Sequence, residues 1–140
     1  MFNVREISKR IAAPFAAFAL VAGISTLTAT PASASTIKDG WIQLCPWGNY
    51  RVHLTYDVTG LPQQLTPVLN PGDDCWWGPM PAGVQYALID MVGHFNTSGG
   101  TFAVIGPDRK YETFYNGKGI GFAAEGTTES HGLAAHYYRY

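Results

Sequence analysis

Beyond residue 34 this chain has no ten-residue segment in which apolar residues recur at helical spacing, so a helix-based core is excluded from the outset. Motifs that mark a reaction centre are missing as well. There is no G-x-S-x-G elbow, no H-E-x-x-H, no phosphate loop and no C-x-x-C, which removes the sequence grounds for a serine hydrolase, a zinc protease, a nucleotide enzyme or a dithiol oxidoreductase. Charge is sparse, with Asp, Glu, Lys and Arg making up 14% of the residues and no basic run or stripe among them. A nucleic-acid partner or an anionic membrane surface would need such a stripe, so neither is expected. Cysteine is limited to Cys45 and Cys75, enough for one intramolecular bridge. Internal repeats and low-complexity tracts are also lacking.

The histidines do not combine along the sequence. His53 and Asp57 share the polar face of one expected strand, but four strand residues span about 13 Å, too far for a hydrogen-bonded dyad. His131 and His136 are five apart and would face opposite sides of a strand, and His94 has no neighbour in sequence with which to act. Asn70, Asp73 and Asp74 offer oxygens that a Ca²⁺ ion could use, yet Asn-Pro-Gly-Asp-Asp is what ordinary turn chemistry produces. No metal or cofactor is expected.

What the chain does contain begins with a leader. Arg5, Lys9 and Arg10 precede an apolar run from Ile11 to about Leu27, and Ala32-Ser33-Ala34 forms an A-x-A cleavage site. Residues 1–34 are therefore expected to be a secretory signal peptide, and residues 35–140 a single, extracellular, monomeric β domain without a membrane anchor. That part carries six Lys and Arg against nine Asp and Glu, a net −3 with His neutral. Exported chains keep disulfides, and closing Cys45 to Cys75 would add about 3.5 kcal/mol to a small domain whose core is thin.

From Trp41 onward the pattern is that of short strands. Trp41–Cys45 is apolar on both faces, Pro46-Trp47-Gly48-Asn49 reads as a turn, and Tyr50–Asp57 alternates strictly, with Tyr50, Val52, Leu54 and Tyr56 on one face. The two runs read as a hairpin. Gln63–Leu69 contains Pro67 and is expected at an edge, and Cys75-Trp76-Trp77 is a short extended piece closed by Gly-Pro-Met-Pro. Val84–Phe95 is apolar on both faces and reads as a central strand covered on both sides. Asn116-Gly117 is the best tight-hairpin signal. With turn signals every eight to twelve residues or so, these pieces predict an all-β fold, a small antiparallel sandwich or barrel of about eight strands with one disulfide.

Aromatics supply the functional signal. Trp76 and Trp77 are adjacent, so only one can enter the core, while Trp47 occupies a turn tip and Arg139 lies among tyrosines in Tyr137–Tyr140. A Cys45–Cys75 bridge would bring Trp47 near Trp76 and Trp77. Such an aromatic patch marks a binding site for a protein or a glycan, and Trp47, Trp76, Trp77 and Arg139 are its candidate residues.

Leu44-Cys45 with Gly48-Asn49-Tyr50, Pro71-Gly72 before Cys75-Trp76, and Gly119-Ile120-Gly121-Phe122 together resemble a group of small secreted actinobacterial proteins. That resemblance implies export and a disulfide-linked β domain. In size and style the chain is also similar to the secreted proteinaceous amylase inhibitors, which present an Arg between aromatics to their target. Tyr138-Arg139-Tyr140 echoes that feature but lies at the chain end, and the second disulfide of that family has no counterpart here. The expected function is a secreted non-enzymatic binding domain, with inhibition of an extracellular hydrolase as one form of it. The alternatives are a structural protein of the cell envelope or spore surface, and a small secreted hydrolase that assembles His53, Asp57, Asp90 or Glu125 in space.

Overall fold

The computed structural model describes residues 37–140, so the leader expected over residues 1–34 and its cleavage site lie outside the described residues. Nine strands follow in order: β1 (Trp41–Pro46), β2 (Arg51–Asp57), β3 (Gln63–Gln64), β4 (Trp76–Pro79), β5 (Ala87–His94), β6 (Thr101–Ala103), β7 (Glu112–Tyr115), β8 (Ile120–Glu125) and β9 (His136–Arg139). One sheet has the order β4-β1-β8-β9. The other runs β3-β2-β5, with β6 and β7 both paired to the far side of β5. The expected all-β, sandwich-like fold with one disulfide is what forms.

Alternation places the core between the sheets. Ile42 and Leu44 of β1, Phe122 and Ala124 of β8 and Tyr137 of β9 meet Val52 and Leu54 of β2, Ala87, Ile89 and Met91 of β5 and Tyr115 of β7. Each large apolar side chain withdrawn in this way contributes on the order of 1.5–3 kcal/mol, and Val52, Leu54, Ile42, Leu44 and Ile89 are wholly buried. Tyr137 keeps its hydroxyl satisfied in that core by donating to the Tyr111 carbonyl at 2.9 Å and meeting Thr113 Oγ1 at 3.0 Å. The bridge between Cys45, at the end of β1, and Cys75, just before β4, ties the edge strand to the centre of its sheet.

Four expectations of connectivity are corrected. The β1–β2 segment is not a hairpin, because β1 and β2 belong to different sheets and the turn between them arches across the core. The reason lies in their inward faces. Ile42 and Leu44 find Val52 and Leu54 by stacking sheet on sheet, and Tyr50, at the end of the arch, spans the layers to donate its hydroxyl to the Glu125 carbonyl at 2.9 Å. Asn116-Gly117 likewise joins β7 of one sheet to β8 of the other, with Gly117 at φ +86° and its carbonyl accepting the Gly40 amide. The sandwich is also not antiparallel throughout as expected: the sheet that holds β1 is mixed, since β1 and β8 run parallel from Ile42 opposite Ile120 to Pro46 opposite Ala124.

The fourth correction concerns β5. It is central in hydrogen bonding, flanked by β2, β6 and β7, but only Ala87, Ile89, Met91 and Gly93 face the core. Leu88 and, just before the strand, Tyr86 lie exposed on the outer face. No second layer covers that face among the described residues, so its apolar side chains remain at the surface.

Candidate functional site

The outer face of the four-stranded sheet carries the disulfide and much of the exposed aromatic surface. Alternation turns Trp41, Gln43 and Cys45 of β1 outward, and register brings Trp77 opposite Gln43 and Tyr138 opposite Ala123. Tyr140 continues the β9 ladder, exchanging backbone hydrogen bonds with Gly121 at 2.8 and 3.1 Å. Its ring lies flat over Gly121, where any side chain would collide with it. The Tyr140 hydroxyl reaches Gln43 Oε1 at 2.6 Å and lies 3.2 Å from Cys45 Sγ, and burial pushes that phenol above its usual pKa. Gln43 and the Cys45 sulfur are buried beneath it.

Of the residues that the sequence singled out, Trp47 is 62% exposed and Trp77 50% exposed, each two residues from one end of the disulfide. Trp76 takes the opposite side from Trp77. It stands opposite Leu44, packs partly buried against the core and lays its ring over Gly78. The two adjacent tryptophans thus divide between the faces as alternation requires, and no ring contact joins Trp47, Trp76 and Trp77 among the described residues. Arg139, exposed on edge strand β9, lines an open depression of about 440 Å³ with Tyr111, Glu112, Phe114 and Leu88.

That depression opens onto a second surface, the outer face of β5 and β7. Tyr86 and Phe114 stack there with ring centres 6.0 Å apart and planes 16° apart, beside Leu88. Asp57, Val58 and Gly60 join them around a shallower depression of about 280 Å³. These aromatics were hidden in the sequence by the expectation that β5 is covered on both faces. The signal that would have exposed them is Asp90, which sits in phase with Tyr86 and Leu88 and is a poor residue for a dry interface.

Asp90 pairs across the ladder with Thr55 on one side and Glu112 on the other, and its Oδ1 is buried without a hydrogen-bond partner. Burial, then the charges of Glu112 and Asp57, hold its carboxyl above the usual carboxylate pKa. A group whose pKa is raised by folding costs nothing when protonated and destabilises progressively as pH rises through its folded value. Asp90→Asn is therefore expected to stabilise the domain at pH 7 by about 0.2–1 kcal/mol, the size of one cross-strand charge pair. The gain should vanish below the unperturbed value of 3.8, as read from urea midpoints at the two pH values.

Asp57, next along that face, is committed to its turn, where Oδ1 accepts the amides of Thr59, Gly60 and Leu61. Asp73 behaves similarly, its Oδ2 accepting the Asn70 amide at 2.7 Å. Glu125 faces His136 at 3.7 Å on the other sheet, so it does not converge with His53, Asp57 and Asp90. His94, which has no neighbour in sequence, gains one in space. The β2–β5 register sets His53 opposite Val92 and His94 opposite Arg51, making the histidines diagonal neighbours on the outer face. His53 Nδ1 lies 2.9 Å from His94 Nε2, with the ring planes 45° apart. Burial and the neighbouring imidazole lower the His53 pKa, and burial and the Arg51 charge lower that of His94.

No family model matches the chain, and no curated protein does. Among solved structures it is similar to that of a disulfide-locked mutant of intermedilysin with human CD59, at 12% identity and a TM-score of 0.45 over 72% of this chain. The chain spans 24% of the length of that protein chain, a likeness too distant to assign a function.

Proposed function

We propose that the chain is a secreted, non-enzymatic β domain that binds a protein or glycan partner through exposed aromatic side chains, with inhibition of an extracellular hydrolase as a specific form of that role. The observation that supports this reading is the placement of Trp47 and Trp77. Two large rings stand in solvent at the two ends of one disulfide, on a scaffold that holds them without further cost in chain entropy. Trp and Arg are enriched among the residues that dominate binding energy, and Arg139, on the opposite edge of that sheet, lines a separate depression with Tyr111 and Phe114. The disulfide suits an extracellular setting, and no described helix is long and apolar enough to cross a membrane.

The hydrolase reading has less support, because Asp57 is held by its turn and Glu125 lies on the other sheet. A structural role at the cell envelope predicts that the protein fractionates with cells, whereas the binding reading predicts free protein in the medium. The test is affinity capture from native culture medium and a glycan array, comparing the unaltered protein with Trp47→Ala/Trp77→Ala. Loss of at least about 30-fold in affinity, a change of roughly 2 kcal/mol, is expected from truncating two such anchors. Unchanged binding by a correctly folded double variant would remove the assigned residues.

A further inference from the structure

We propose that His53 and His94 form a two-imidazole binding site for a borderline divalent transition metal, Cu²⁺ most strongly and Zn²⁺ next. Metal–imidazole bonds are about 2.0–2.1 Å long, and two of them separated by the angles of square-planar or tetrahedral coordination place their nitrogens about 2.8–3.4 Å apart. His53 Nδ1 and His94 Nε2 are 2.9 Å apart. That separation lies within the bite of a single metal ion, and a modest turn of the two rings would aim both nitrogens at it.

Rigidity is the second argument. Both rings stand on the β2–β5 ladder, which pairs from Arg51 opposite His94 to Asp57 opposite Leu88 and forms the centre of the five-stranded sheet. Neither ligand depends on a loop, so little ordering is needed when a metal arrives. Both rings are only partly buried, which leaves the remaining coordination positions open to water or to a donor from a bound partner. Imidazole selects copper, zinc and nickel over calcium and magnesium, and the Irving–Williams order puts Cu²⁺ first among them.

Proton accounting is simple. In the metal-free pair one facing nitrogen carries the shared hydrogen, and on binding that proton moves to the other nitrogen of the same ring. Both facing lone pairs are then free, and no proton is released from a neutral pair. Arg51, directly opposite His94, opposes the incoming charge. Its removal should strengthen binding, which an ordinary surface histidine pair elsewhere would not show.

The experiment titrates tag-free, metal-stripped protein with Cu²⁺, read by calorimetry and by the nitrogen hyperfine pattern in electron paramagnetic resonance. One equivalent bound with two imidazole nitrogens is expected. His53→Gln and His94→Gln, which keep hydrogen-bonding side chains on the ladder, should each weaken that site at least tenfold. His131→Gln/His136→Gln should leave it unchanged, Arg51→Gln should tighten it, and excess Ca²⁺ should not compete. Binding that survives in the His53 and His94 variants, a signal from one nitrogen only, or affinity no greater than that of the double His53/His94 variant would overturn the proposal. Circular dichroism of each variant separates loss of the site from loss of the fold.

Discussion

Replacing Cys45 and Cys75 together with alanine is expected to lower the stability of the domain by about 3.5 kcal/mol, the loop-closure entropy of a bridge that joins residues 30 apart in sequence. Alanine is the right replacement because Cys45 is buried under Tyr140, where a serine hydroxyl would add a desolvation cost of its own. Set against the 5–15 kcal/mol typical of whole domains, the loss takes a large share, and it should lower the melting temperature by roughly 15–25 °C. Chemical denaturation of the oxidised protein and the double variant measures it. A loss below about 1 kcal/mol would mean that the β1–β4 ladder and the Asn70–Asp73 turn hold that corner without the bridge. The bridge also has a positional effect, since Trp77 reaches the outer face only while β4 stays in register with β1.

The second large effect is expected at Gly126, where β8 ends. Gly126→Ala should cost more than about 3 kcal/mol, from two sources that add. The backbone there has φ +83°, a left-handed conformation that costs a residue with a Cβ about 1–2 kcal/mol. The added methyl would also press into the Ala134 carbonyl, a backbone atom that cannot swing aside. Relief would have to come from the β8–β9 connection, and Gly126 also supplies the carbonyl that accepts the Asn49 amide at 3.1 Å. Gly60→Ala provides the matched control. Gly60 has φ +86°, and a methyl added there would meet nothing within 4 Å, so it should show the backbone cost alone, about 1–2 kcal/mol. Equal losses at the two positions would show that the close approach to Ala134 is relieved elsewhere.

How much of this could be read from the chain depends on how local the cause is. The alternation of Tyr50–Tyr56 dictates one buried face, and β2 has it. Likewise two adjacent tryptophans in an extended segment must split between faces, and Trp76 and Trp77 do. An edge strand at Gln63–Gln64 follows from the nearby Pro67, and the pairing of the only two cysteines needs no geometry at all. What failed was anything set by the partner of a strand. Pro46–Asn49 and Asn116-Gly117 announce reversals of direction, but a reversal within a sheet and one between sheets use similar local chemistry. Which occurs is decided by the faces the flanking strands must bury.

The candidate site divides along the same line. Trp47 and Trp77 were visible as residues that a thin sandwich has difficulty covering. The His53–His94 pair was not, because it exists only through the register of strands 41 residues apart at those positions. The β5 surface was missed for a different reason. An apolar residue such as Leu88 is the same letter whether a second layer covers it or a partner does, and only Asp90 in phase with it favours the exposed outcome.

The parallel pairing of β1 with β8 has a kinetic consequence. Ile42 meets Ile120, so the central ladder of the four-stranded sheet cannot close until almost the whole chain is available. Topologies dominated by such distant pairings fold on millisecond-to-second timescales, because the entropy of loop closure is lost before the contacts that compensate it form. A nascent chain that ends before β8 has β1 with only β4 beside it, and Cys45 and Cys75 are then the strongest link it can make. Oxidation of that pair would set the order of assembly, fixing β4 on β1 and leaving the opposite edge of β1 open as the template on which β8 docks.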